Sequence, residues 1–375
     1  MRVLYLTMNP NRASTTTPTE GWFRILRTKG LSPVLVSHQA GAFHEWAMAQ
    51  GIPAYALPLP APSKLAPWRF VRSVWQLCRL VSHYNIQLIH CNEQDIYPIG
   101  HYVSRLCKVP VLVSVHFTMN RGYCEWAFGG KRCPDRIIFI SRGNQEACRS
   151  AVTGVIPSDR WRLLYNGLDL EYYVPEKTWR ERFRVQHGLH SELLIGVACA
   201  LRPRKQVEHL FEAASRIEHP HMRVVLAGGP MPGDEAYAEQ LLEMARQKLG
   251  TRFLYLGQLR AQSDLRDLYN GLDVFVNTSQ EEACSISVLE AMACGCPVVG
   301  YPSKSVDEQV LPDGGAIVNQ DDISALTVEL EGWLTDDIKL QAGKKGARRR
   351  TEEAFDILKL SDQLWNEYQD LLAKC

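Results

Sequence analysis

The chain carries almost no charge imbalance: 42 Lys and Arg stand against 41 Asp and Glu, a formal net charge of +1. A field that weak gives no grip on a nucleic-acid backbone, so nucleic acid is not an expected partner. There is no uninterrupted apolar run long enough to span a bilayer. The first residues, Met1-Arg-Val-Leu-Tyr-Leu-Thr, lack the apolar core and small-residue cleavage site of a secretory leader and read as a strand. A cytoplasmic location is therefore expected, with the inner membrane face as an alternative considered below. There are 11 cysteines, an odd count, and several, such as Cys199 and Cys294, sit inside apolar runs. Free buried thiols in a reducing compartment fit that pattern better than a disulfide framework. Only Cys124 and Cys133 are spaced as a possible pair, and a metal there would need two further ligands that are not nearby. Repeats, low-complexity tracts and an Asp-x-Asp pair are also missing. No divalent metal and no other cofactor is expected.

What is present is a globular chain of 375 residues with 46% hydrophobic content, long enough for two cores. Short apolar runs alternate with helical patterns. Val3–Leu6, Pro33–Ser37, Ile86–His90, Val109–Val115 and Arg136–Ile140 read as strands. Gly21–Lys29, Gly41–Gln50, Trp68–His83 and Tyr97–Cys107 read as the helices between them. The pattern restarts with strands Leu194–Ala200, Met222–Ala227, Phe253–Leu256, Val274–Asn277 and Pro297–Gly300. Helices at Gln206–Ile217, Ala236–Leu249, Ser263–Asn270 and Val288–Ala293 separate them. Alternation of this kind predicts parallel sheets covered by helices on both faces. The expected fold class is α/β: two Rossmann-like doubly wound domains facing across a cleft. The first spans 1–170 and the second 171–355, with a terminal helix from 356 to 375 packing back on the first. The turn and proline-ended stretch Tyr165–Pro175 marks the boundary.

Ligands of such sheets bind at the carboxyl ends of strands. In the second domain Leu201-Arg-Pro-Arg-Lys-Gln leaves a strand and opens a helix. Arg202, Arg204 and Lys205 are placed there for a diphosphate, or form a merely solvated basic loop. Leu226-Ala-Gly-Gly-Pro, with Gly228, and Tyr255-Leu-Gly-Gln-Leu leave two further strands through glycine. The most informative segment is Glu282-Ala-Cys-Ser-Ile-Ser-Val-Leu-Glu290. It places a carboxylate on each side of a loop that enters a helix. The helix start directs unpaired N–H groups at an anion, and the carboxylates can accept from sugar hydroxyls. A diphosphate with a sugar at each end is a nucleotide sugar.

In this order the set resembles the C-terminal domain of GT-B glycosyltransferases, and closely the large retaining family called family 4, glycosyl transferases group 1. The matching pieces are Lys205, the Leu-Ala-Gly-Gly-Pro turn, Phe253-Leu-Tyr-Leu-Gly, and Glu282 to Glu290 followed by Ala-Met-Ala-Cys-Gly-Cys-Pro-Val-Val. The resemblance covers essentially the whole chain. It implies an enzyme of the hexosyltransferase type (EC 2.4). A sugar would pass from a UDP- or GDP-linked donor to a sugar, lipid-linked or small-molecule hydroxyl acceptor, with retention and without metal. The base would lie near Gln258 and Leu259, and the ribose on Glu290. The diphosphate would meet Lys205, Arg202 or Arg204, and N–H groups around Ser285, Ile286 and Ser287. Glu282 and His116 would orient the sugar.

The chain departs from the family at two places. Ala200 stands where an arginine is usual, so Arg202 or Arg204 would substitute. Ala283–Ser287 replaces a glycine-rich stretch where backbone meets the donor sugar. The alternatives are a sugar-nucleotide-binding protein without catalysis and a sugar-nucleotide epimerase.

In the first domain His116, Phe139-Ile-Ser-Arg142 and Asn166-Gly-Leu-Asp169 match family landmarks. Gly21 is expected to open a helix with its N–H groups exposed, and Thr19 and Glu20 are expected at the mouth of the site. On the helix Trp68–Val81, Val71, Val74, Cys78 and Val81 share one face at 100° per residue, with Trp68 and Trp75 near its boundary. This is either a core helix with a basic edge or, with Lys64-Leu-Ala-Pro before it, a membrane-interface helix.

Overall fold

A computed structural model of the chain describes residues 1–11, 15–63, 65–259 and 261–374. It contains two compact units, Met1–Gly167 with Ile357–Cys375, and Leu168–Asp356.

The first unit is a seven-stranded parallel sheet. Its strands are β1 (Arg2–Thr7), β2 (Ser32–Ser37), β3 (Ala54–Ala56), β4 (Leu88–Cys91), β5 (Val111–Val115), β6 (Arg136–Phe139) and β7 (Trp161–Leu163), in the order β3-β2-β1-β4-β5-β6-β7. The second is a six-stranded parallel sheet made of β8 (Leu193–Ala198), β9 (Met222–Ala227), β10 (Phe253–Tyr255), β11 (Val274–Asn277), β12 (Val298–Gly300) and β13 (Gly315–Ile317). Its order is β10-β9-β8-β11-β12-β13. These are the two doubly wound sheets expected. The central strands are near-continuous apolar runs because helices cover both faces: in β1 and β2 every residue after the first is buried. Three strands escape the sequence pattern, β3, β7 and β13. Each is three residues long, edges its sheet and is only partly buried. The terminal helix Ile357–Ala373 belongs to the first unit. It sets Leu360, Leu364, Tyr368 and Leu371 into a core shared with Trp22, Phe23 and Leu26.

In each sheet the strand order reverses once, so two consecutive crossovers lead to opposite sides. The switch lies between β1 and β4 in the first unit and between β8 and β11 in the second. The loops that leave these strand pairs must therefore be neighbours, with a crevice between them.

Two helices begin or face differently from expectation. The first helix runs Thr17–Thr28, with Pro18 in its first turn, so it starts four residues before Gly21. Pro is well suited to a first turn, where its missing N–H is no loss. The helix Pro67–Tyr84 buries Ser73, Val74, Leu77 and Val81. Its apolar face is centred on Leu77, and Val71 is exposed. Trp68 and Trp75 occupy the middle of the solvent face, not its boundary. Lys64, which precedes this helix, lies outside the described residues. The described cysteines, Cys124 and Cys133 included, are free thiols.

Candidate functional site

At the β8/β11 switch Lys205 and Glu282 meet. Beyond β8 the chain turns through Pro203–Lys205 and enters the helix Val207–Ser215 by way of Gln206 in a left-handed conformation (φ 46°). Beyond β11 it runs through Thr278–Ser285 into the helix Ile286–Ala293. The two loops are sewn together: Thr278 Oγ1 donates to the Lys205 carbonyl at 3.0 Å, and Gln280 N–H to the Arg204 carbonyl at 2.9 Å. At the centre the Lys205 ammonium is paired with the Glu282 carboxylate, and both side chains are largely buried. Ser279 Oγ donates to the same carboxylate oxygen at 2.8 Å. The backbone of Glu282 is fixed as well, its N–H by the Ser303 carbonyl at 2.8 Å and its carbonyl by Ser305 Oγ at 2.7 Å.

The two arginines separate. Arg204 donates to the Glu281 carbonyl at 3.1 Å and so stays with the glutamate loop, whereas Arg202 lies 3.6 Å from Asp234. Gly228 ends β9 at φ 141°, and its N–H donates to the Gly257 carbonyl at 2.8 Å. A Cβ there would lie 1.8 Å from the Cys199 carbonyl oxygen, so only glycine lets this turn pass the exit of β8. Gln258 and Leu259 follow β10 at the sheet edge; Gln258 is exposed and lies beside Gly229.

The start of the helix Ile286–Ala293 has no side-chain cap. Its first N–H groups, those of Ile286 and Ser287, have no carbonyl within the helix. The Ser285 N–H is different. It donates to Gln309 Oε1 at 3.1 Å, and Gln309 Nε2 returns a bond to the Ser285 carbonyl at 3.1 Å. Ser285 therefore has no N–H to offer a phosphate, a correction to the sequence reading. An intervening amide from another helix could not be read from spacing. Ser285 Oγ is 3.3 Å from Ser287 Oγ.

Glu290 lies one turn further on and is buried. Its two carboxylate oxygens accept from Tyr173 at 2.7 Å and Tyr269 at 2.9 Å. Burial raises its pKa, and the two hydroxyls pull it part of the way back, leaving it at about 7. Neither tyrosine was singled out from sequence, although Tyr173 falls inside the boundary stretch Tyr165–Pro175. The two glutamates thus have different supports: Glu282 has a lysine, Glu290 only hydroxyls.

In the first unit His116 follows β5 and is buried; its pKa is lowered by burial to about 4, so the ring is neutral. Its Nε2 has no partner among the described residues. At the β1/β4 switch a carboxyl that sequence did not flag ties the loops together. Glu93 accepts from Thr7 Oγ1 at 2.8 Å, Met8 N–H at 3.0 Å and Asn92 Nδ2 at 2.7 Å, and burial raises its pKa to about 7. Gly21 does not play the expected part. It lies in the second turn of Thr17–Thr28, and an added Cβ would be 3.0 Å from Ile357, so it is a close-packing position. Thr19 and Glu20 are buried in that helix, with Thr19 Oγ1 3.0 Å from the Tyr5 hydroxyl, and neither stands at an open mouth.

The architecture, two Rossmann-like parallel-sheet domains in one chain, is that of the GT-B glycosyltransferases. Residues 180–350 match the family model for glycosyl transferases group 1, and residues 16–171 match that for the glycosyl transferase 4-like domain. The first match falls within the second unit and the second almost wholly within the first. An uncharacterized glycosyltransferase of Methanocaldococcus jannaschii, MJ1607, is 29% identical over 56% of this chain and 56% of its own length. The chain thus spans little more than half of that relative. The sulfoquinovosyl transferase SQD2 of Arabidopsis thaliana is 23% identical over 93% of this chain and 69% of its own length. The structure of HepE from Anabaena, solved with UDP and glucose, is similar with a TM-score of 0.86 at 20% identity, over 99% of this chain and 100% of that one.

Proposed function

We propose that the protein is a retaining, family 4 glycosyltransferase that moves a hexosyl unit from a UDP- or GDP-linked sugar to a hydroxyl acceptor, without a metal. The observation that carries this is the buried Lys205–Glu282 pair beside the uncapped start of the helix Ile286–Ala293. A lysine and free N–H groups on one side suit a diphosphate, and a carboxylate suits a sugar hydroxyl. In this reading Lys205, Arg204 and the N–H groups of Ile286 and Ser287 take the growing charge of the leaving nucleotide diphosphate, which lowers the barrier where charge develops. Arg202 serves less directly, since Asp234 already faces it. Glu290 accepts from the ribose with the lone pairs its tyrosines leave over. Gly228, Gln258 and Leu259 border the base. Glu282 orients the transferred sugar; in the first unit the neutral His116 ring, whose Nε2 has no partner among the described residues, is available to a ligand of that unit. The acceptor is a sugar, a lipid-linked sugar or a small polyol.

A thermal-shift screen with UDP, GDP and ADP sugars tests the donor, because a ligand of the native state raises the melting point by mass action. No shift with any of them would remove the reading. One observation favours a second reading, binding without transfer: Gln309 closes the Ser285 N–H. A melting shift with no glycoside product over a broad acceptor panel would select it.

A further inference from the structure

The helix Pro67–Tyr84 has one face in the core and an opposite face that nothing among the described residues of its own unit covers. On that outer face Trp68 is 66%, Val71 62% and Trp75 57% exposed, and Leu65 just ahead of the helix is 90% exposed. At 100° per residue Trp68 and Trp75 fall within about 20° of each other, directly opposite buried Leu77. Folding leaves two tryptophans where burial offers them nothing. The neighbouring helix Tyr97–Cys107 continues the surface: Phe70 packs edge-on against Tyr102 with ring centroids 5.2 Å apart, and Leu106 beyond it is 67% exposed.

The charges on these two helices have one sign. From residue 46 to residue 92 the chain contains no Asp or Glu, while the helix carries Arg69, Arg72 and Arg79. The neighbouring helix adds Arg105 and, at its end, Lys108, again without an acid. Arg79 lies over the Trp75 ring, 4.7 Å from its centroid, and Arg69 and Arg72 have no ion-pair partner among the described residues. In a chain whose total charge is balanced, this concentration is local and sits around the exposed indoles.

Indoles favour the boundary between headgroups and acyl chains, where an apolar ring and a polar N–H are both accommodated. Arginines flanking them reach up to lipid phosphates along apolar stems. We infer that the outer face of Pro67–Tyr84 is a docking surface for a bilayer rich in anionic lipid, with Trp68 and Trp75 entering the interface and Arg69, Arg72 and Arg79 binding phosphates. A copy of this chain is the weaker occupant, since the arginine-lined face would meet its own charges across a two-fold axis.

Co-sedimentation with phosphatidylcholine vesicles, with and without phosphatidylglycerol, tests the surface. It needs no nucleotide sugar, so its outcome is separate from that of the donor reading. The protein is expected to pellet with the anionic vesicles at low salt and to be released by high salt. W68S/W75S should lower the partition coefficient at least about tenfold, since two interfacial rings are lost. R69Q/R72Q/R79Q should lower it about fivefold for each arginine and flatten the salt dependence. Thermal melting of both variants should match wild type, because all five side chains are exposed. Wild type left in the supernatant with anionic vesicles, or variants that bind them as wild type does, would overturn the inference. So would a concentration-dependent dimer abolished by W68S/W75S, which would make the face an interface between copies.

Discussion

Asp273 and Glu290 are both buried carboxylates of the second unit, and their surroundings could hardly differ more. Asp273, just before β11, is held by Arg180 at 2.7 Å, Arg184 at 2.8 Å and Lys344 at 3.1 Å, and it accepts from the Leu194 N–H at 3.0 Å. Burial alone would raise its pKa, but Arg180 and Lys344, the Leu194 N–H and Arg184 outweigh it and leave the group below its ordinary value. Glu290 has no cation among the described residues, only Tyr173 and Tyr269, and burial wins. One carboxylate is satisfied by the fold itself. The other is kept in a neutral polar setting with acceptor capacity to spare, the usual condition of a group that serves a ligand.

The largest effect expected from this contrast is on stability. Asp273→Ala strands Arg184 in the interior and should cost about 3–5 kcal/mol in urea unfolding at pH 7. A loss below about 1 kcal/mol would mean that the cluster is not holding the unit together. The pH dependence should have opposite signs. For Glu290 the folded pKa is raised from 4.5 to about 7. Its contribution is therefore fully present below about pH 4.5 and is lost as pH rises toward 7, amounting to about 3 kcal/mol. Subtracting the stability profile of Glu290→Gln from that of wild type should leave a fall of up to about 1.4 kcal/mol per pH unit across that window. A flat difference would show that burial does not govern this carboxyl. Asp273 contributes in the other direction, with stability that is lost only as pH falls through the acid range.

A smaller but more specific effect concerns turnover. Glu290→Gln and Lys205→Ala should each lower kcat/KM at least about tenfold, roughly 1.4 kcal/mol. Unchanged kinetics in both would detach this loop from the chemistry. The smallest effect is predicted for Glu281→Gln. Its pair with Lys304, at 2.8 Å, is about half exposed, and removing it should change stability by less than about 1 kcal/mol. A larger change would mark Glu281 as part of the site.

Both members of the comparison show what can be read from a linear chain. The central strands were legible because burial on two faces writes itself as unbroken Val, Ile and Leu. The three-residue edges β3, β7 and β13 were not, since half-buried ends carry no period. Lys205 and Glu282 were legible as positions after two strands. Their meeting depends on the strand order, in which β8 lies beside β11. Glu290 stood out for its spacing, but its partner Tyr173 lies 117 residues away in the chain. Asp273 was silent, because one aspartate ahead of a strand has no pattern until three cations converge on it. Gly21 misled because the helix starts earlier, at a threonine and proline that also suit a loop.

The closed pair of Lys205 and Glu282 has a consequence for the order of events on the second unit. A lysine already matched to a carboxylate is a latched door. An incoming phosphate that recruits it must first prise the latch, and the released carboxylate is then left without a counter-charge in a dry place. A ligand that carries a phosphate alone makes one side of the exchange and leaves the other in deficit. A ligand that brings a hydroxyl to the same spot settles both. Under the proposed function the pair would discriminate between a whole donor and the nucleotide left after transfer, and would favour re-latching, hence departure, once the sugar is gone.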